Sequence, residues 1–171
     1  MITRGQHFIM PTTGIKIQQK GIYDLKDLLK IIQTFFEEKR YTFQISETQD
    51  KAKDKGYELI IGMKSDRDID DYVRFHIDIH MLIIEMEKVK VKNKNLDRGN
   101  MDMNFKAYLY LDYKNRWNKN FMSRFLNLIY KNYIIKIKIK TEYERNLYID
   151  LMELHNLVKE RLGLYTHYYG A

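Results

Sequence analysis

His76, Asp78 and His80 alternate along one stretch of the chain. Two imidazoles and a carboxylate are a donor set that can hold a divalent metal with one position open. Alternate side chains of a strand stand about 6.8 Å apart, so both imidazoles reach one ion only where the strand bends or a third ligand crosses. Arg74 adds a cation to the same face, and an ion-paired polar face is the simpler expectation. Asp66, Asp68, Asp70 and Asp71 start like a calcium loop. Asp71 stands where that loop needs glycine and Ile77 where it needs glutamate, so a solvated acidic turn is expected. Ser46, Ser65 and Ser123 sit in no nucleophile elbow, and there is no glycine-rich phosphate loop or zincin helix. Glu85 and Glu87 lie near a predicted bend and are expected to face solvent. No catalytic residue, metal or cofactor is assigned, and a non-enzymatic protein is expected.

Binding chemistry is easier to find. Lys88, Lys90 and Lys92, with Lys94 beyond, alternate with valine, and Lys136, Lys138 and Lys140 alternate with isoleucine. Residues 86–140 hold 14 Lys or Arg against 4 Asp or Glu, and the rest of the chain holds 16 against 19. A surface of that kind tracks phosphates, releasing a counterion for each one neutralised. Outward lysines on an edge strand also block edge-to-edge aggregation, which is the competing explanation. The predicted contacts are Lys88, Lys90, Lys92, Lys94, Lys106, Lys136, Lys138 and Lys140, with Arg98, Arg116 and Lys119 at the rim. Tyr108 and Tyr110 share a strand face with Lys106, where aromatics among cations could stack unpaired bases. A covering helix or C-terminal tail would remove them from that role. Trp117, between arginine and asparagine, either anchors a protein partner or caps the core. Tyr165, Tyr168 and Tyr169 form an aromatic tail expected to dock on this chain or another.

These residues need elements to hold them. Leu25, Leu28, Leu29, Ile32, Phe35 and Phe36 follow the spacing of a buried helical stripe over Asp24–Arg40, with Asp24 as its cap. Tyr41, Phe43 and Ile45 alternate as a strand, a charged turn follows over 49–56, and Tyr57, Leu59, Ile61 and Met63 make the next strand. A third strand points Val73, Phe75, Ile77, Ile79, Met81 and Ile83 inward. Its alternation slips near Ile84–Met86 and recovers, which predicts a β-bulge or bend between Leu82 and Lys88. Residues 93–100, with Asp97-Arg98-Gly99, read as a loop. Met101, Met103, Phe105, Ala107, Leu109 and Leu111 then form the inner face of a fourth strand. Setting Lys90 opposite Asp102 stacks Val89 and Val91 on Met101 and Met103.

Phe121, Phe125, Leu128 and Ile129 predict a helix, and Thr141-Glu-Tyr-Glu144 reads as a capping box opening another. Leu147, Leu151, Leu154, Val158 and Leu162 form its stripe, and Gly163 stops it. The expected fold class is α+β, a curved antiparallel β-meander of about four to five strands. An N-terminal helix and long C-terminal helices pack on one face. Residues 1–20 are expected to be a tail or leading strand, 21–164 a single domain, and 165–171 the aromatic tail. That element order resembles the helix-grip folds, which implies a small apolar ligand held in a cavity between the sheet and the last helix.

At 171 residues with formal charge +7 and no cysteine, the chain can bury one core, and disulfides and thiol chemistry are excluded. It has no segment approaching the roughly 18 uncharged apolar residues of a membrane span. The opening residues lack the apolar run of a signal peptide. A soluble cytoplasmic protein is expected, with no membrane partner. The expected function is binding or assembly on nucleic acid or a ribonucleoprotein. The alternative is a structural protein–protein interaction module of a larger particle.

Overall fold

Val73 to Ile83 hides every second side chain, and that strand forms the middle of the sheet. The computed structural model describes residues 6–9, 13–53, 56–91, 94–114 and 138–164, apart from the side chains of Gln6, Ile139 and Lys140. Within them are β1 (Gln6–Phe8), β2 (Ile15–Tyr23), α1 (Leu25–Glu38), β3 (Thr42–Ala52), β4 (Tyr57–Asp68), β5 (Val73–Val91), β6 (Lys94–Leu111) and α2 (Glu144–Arg161). The protein is α+β, its described residues forming a six-stranded antiparallel sheet and two α-helices. β3, β4, β5 and β6 neighbour one another in chain order, and β1 and β2 both run along the far edge of β6. α1 carries the chain from the β2 edge to the β3 edge. No helix among the described residues is long and apolar enough to cross a membrane.

One core joins the helices to one face of the sheet. The stripe of α1 and the stripe of α2 meet the odd-numbered residues of β5 and β6 in a single buried cluster. Asp24 caps α1 as expected, its carboxylate accepting from the Asp27 amide at 3.0 Å. The helix ends in a Schellman motif, with Tyr41 N–H bonded to the Phe36 carbonyl and Arg40 N–H to that of Glu37. Arg40 therefore takes the left-handed position usually given to glycine, at φ 60°. α2 closes in the same way on Gly163. Its start differs from the expected capping box: a π-helical turn over Ile139–Tyr143 precedes Glu144, and no side chain caps at Tyr143. The Tyr143 hydroxyl donates instead to Asp70 at 2.8 Å, pinning the helix start to the β4–β5 turn.

Three expected loops are partly or wholly strand. Residues 94–100 belong to β6. Residues 49–52 extend β3, past which Lys53 N–H bonds the Gly56 carbonyl. Asp66 and Asp68 lie in β4 opposite His76 and Arg74. Gly99, read as a turn signal, is a close-approach residue. A Cβ there would lie 3.0 Å from the Tyr23 hydroxyl and 3.1 Å from the Ile84 carbonyl. The expected register is corrected accordingly: Lys90 lies opposite Asn95, and Asp102 opposite Leu82.

The bulge falls where the phase slip placed it, between Ile84 and Glu87, with Glu85 at φ 55°. One extra residue in β5 flips the faces beyond it. Lys88 and Lys90 now share a face with Asp97 and Asn95, the helix side of β6. Val89 and Val91 share the other with Leu96 and Lys94. The valines do not rejoin Met101 and Met103.

Candidate nucleic-acid interface

Directly opposed residues of an antiparallel pair share a face, so the register lays out the sheet surface that points away from the helices. Five rows cross it from β4 through β5 to β6. They are Asp68–Arg74–Tyr110, Asp66–His76–Tyr108, Lys64–Asp78–Lys106, Gly62–His80–Asn104 and Ile60–Leu82–Asp102. β2 extends the last two with Lys16 and Gln18, and Lys20 stands beside Asn100. Polar residues alternate out along each strand because their neighbours in sequence fill the core.

His76 organises the upper rows. Its Nδ1 lies 2.6 Å from Asp66 and its Nε2 2.9 Å from Asp78. Burial alone would lower the imidazole pKa. The hydrogen bonds and charges of the two carboxylates outweigh that and raise it to about 9, so His76 is a cation at neutral pH. Burial would likewise lift Asp78, but the hydrogen bond and charge of His76 hold it below the usual carboxylate value. The second oxygen of Asp78 accepts from the Tyr108 hydroxyl at 3.1 Å. Asp68 is held low by the Arg74 guanidinium at 2.5 Å, and Asp102 accepts from Gln18 at 3.0 Å. Asp66, Asp68, Asp78 and Asp102 thus hold partners within this face, and Glu47, opposite Gly62, accepts from the Gln49 amide at 2.6 Å. An imidazole clasped at both nitrogens has no free lone pair for a metal or for general-base chemistry.

Below these rows lies a hollow of about 510 Å³ lined by Lys64, Lys106, His80, Asn104, Asp78, Ser46 and Glu47. Gly62 and a bulge in β3 shape it. The β3–β4 register slips between Ile45 and Glu47. A Cβ on Gly62 would come within 3.0 Å of Ser46 Oγ and 3.1 Å of Glu47 Cβ. Lys64, His80 and Lys16 are exposed, and Lys106 and Asn104 are half-buried.

The expected contacts are divided by this geometry. Lys106 and Tyr110 lie on the outward face. Tyr108 lies there too, but Phe8 of β1 covers it with ring centroids 5.0 Å apart, leaving it 6% exposed. It braces Asp78 and His76 and has no ring face to offer a base. Lys88 turns to the helix side of the hairpin and pairs with Asp97 at 2.5 Å, with Lys90 on the same side. Lys94 and Arg98 lie on the other side, Arg98 opposite Glu87. Lys138 sits over the Tyr143 ring at 5.1 Å, away from the sheet surface. The first ladder is therefore split between two faces. Lys92, Arg116, Trp117, Lys119, Lys136, Tyr165, Tyr168 and Tyr169 lie outside the described residues, as does the Lys140 side chain.

Charge counting by segment missed Lys16, Lys20 and Lys64, which precede the basic third yet share the outward face with Lys106. Their signal was alternation: each follows the polar phase of its own strand. No protein-family model matches this chain, and no curated protein is significantly similar to it.

Proposed function

We propose that this protein is a non-enzymatic binding protein whose outward sheet face takes up single-stranded nucleic acid, free or within a ribonucleoprotein. One observation carries this reading. Lys64 and Lys106 line one hollow from neighbouring sides of β5, and Lys16 of β2 stands opposite Asn104, another of its lining residues, on a face whose carboxylates hold internal partners. Anionic ligand is then drawn by amines whose neighbouring aspartates are already engaged. Antiparallel strands with one wet face suit a flexible strand, because unpaired bases can lie across the rows while phosphates meet the lysines. The helix-grip carrier reading draws less support, since Leu147, Leu151, Leu154 and Val158 of α2 are fully buried in the common core.

Filter binding of a single-stranded oligonucleotide across a salt series tests the proposal. Affinity should fall steeply as salt rises. The double variant Lys64→Glu/Lys106→Glu should lose at least about tenfold, and Lys88→Ala/Lys90→Ala much less. Affinity that stays level with salt, or an unchanged double charge reversal, overturns it.

A further inference from the structure

The hollow has a shape that phosphate contacts alone do not need. Gly62 lies opposite His80 on one side and Glu47 on the other. No side chain can rise from it, because the bulged β3 backbone brings Ser46 and Glu47 to where a Cβ would stand. An exposed imidazole therefore has no cross-strand neighbour on its β4 side. The next outward residues of β4, Ile60 and Lys64, are each about 6.8 Å further along. The result is a slot beside an aromatic ring, with amines at one end and, at the other, the Ser46 hydroxyl, the Asn104 amide, whose Oδ1 is buried, and the Glu47 carboxylate, which accepts from Gln49 at 2.6 Å. Its volume of about 510 Å³ falls in the range of small-molecule sites.

Resting on the nucleic-acid reading, we infer that this slot holds one nucleotide of the bound strand, its base flat against His80 and its phosphate between Lys64 and Lys106. Asp78 lies between those lysines but keeps both oxygens engaged, one with His76 and one with Tyr108. It therefore offers an incoming phosphate less repulsion than a free carboxylate would. Base stacking on an aromatic ring tolerates any base, and the amide and hydroxyl add edge contacts without fixing identity.

The test is displacement of a labelled oligonucleotide by nucleoside 5′-monophosphates, ribose 5-phosphate and inorganic phosphate, with the His80 ring resonances followed by NMR. Nucleotides should compete at least about tenfold better than ribose 5-phosphate and shift the His80 signals. His80→Ala should abolish that advantage and His80→Phe should keep it. Equal competition by ribose 5-phosphate, or a His80→Ala variant that still prefers nucleotides, overturns the base slot while leaving a polyanion surface in place. If no oligonucleotide binds even at low salt, the underlying reading fails. Direct titration of a mononucleotide then decides the slot alone: a shifted His80 resonance supports it and an unmoved one overturns it.

Discussion

Two carboxylate centres stand on opposite faces of the same sheet, and they are built differently. On the helix side Asp150 of α2, 6% exposed, accepts from the Tyr41 hydroxyl at 2.9 Å and meets Arg67 at 3.0 Å and Lys39 at 3.3 Å. Arg67 also donates to the Lys39 carbonyl and lies over the rings of Tyr41 and Phe75. This centre ties the end of α1, strand β4 and α2 together with permanent cations. On the outward side the clasp of Asp66, His76, Asp78 and Tyr108 uses only adjacent strands, and its cation is an imidazole. The first centre holds elements that are far apart in sequence. The second quiets the acidity of a surface and depends on pH.

The largest expected effect comes from breaking the helix-side centre. Asp150→Ala strands Arg67 near the core, while Lys39 keeps Glu153 at 2.5 Å, and should lower unfolding free energy by about 2–4 kcal/mol in urea titration. Tyr41→Phe should cost about 1 kcal/mol. A loss as small as that of an exposed control such as Lys64→Ala would mean that Asp150 does not join the layers.

Titration of the outward clasp should follow. The folded pKa of His76 lies above its unfolded value of about 6.5. Its contribution is therefore full below that pH, declines as pH rises toward about 9, and is lost above it. Allowing for solvent screening, the decline should be about 2 kcal/mol. Asp78, with a lowered pKa, works in the opposite sense: its contribution is present at neutral pH and lost in acid. Stability measured from pH 6 to 10 should fall in the wild type and flatten in His76→Gln. Identical slopes in both would remove the clasp from the account.

The smallest effect lies at the end of α1. Arg40→Gly relieves a left-handed backbone position at a helix C-terminus and should raise stability by about 0.5–1 kcal/mol. A destabilised variant would indicate that the Arg40 side chain contributes more than its backbone strain removes.

Much of the frame was legible in the chain. The stripes of α1 and α2, the inward alternation of Val73–Ile83 and Met101–Leu109, and the bulge near Ile84 all follow from local periodicity. What resisted reading was set between strands. Gly99 and its asparagine neighbours carry the composition of a turn, yet the nearness of Tyr23 and Ile84 makes Gly99 a strand residue. Mistaking it shifted the hairpin register and put Lys88 and Lys90 on the wrong face. The polar end of β3, exposed from Gln49 to Ala52, reads as a turn because no large apolar side chain marks it. Its pairing to β4 defines it.

The Asp66–His76 contact illustrates the same limit. Neither residue signals the other across ten positions, but the β4–β5 register sets them side by side. Amino-acid order alone determined which side chains of each strand and helix must be hidden, because burial of alternate or every third and fourth residue is a property of one element. Only the folded sheet decided which lysines meet, which carboxylates are already engaged, and where Gly62 opens a hollow beside His80. Those depend on register, and a single inserted residue in β5 is enough to exchange its two faces.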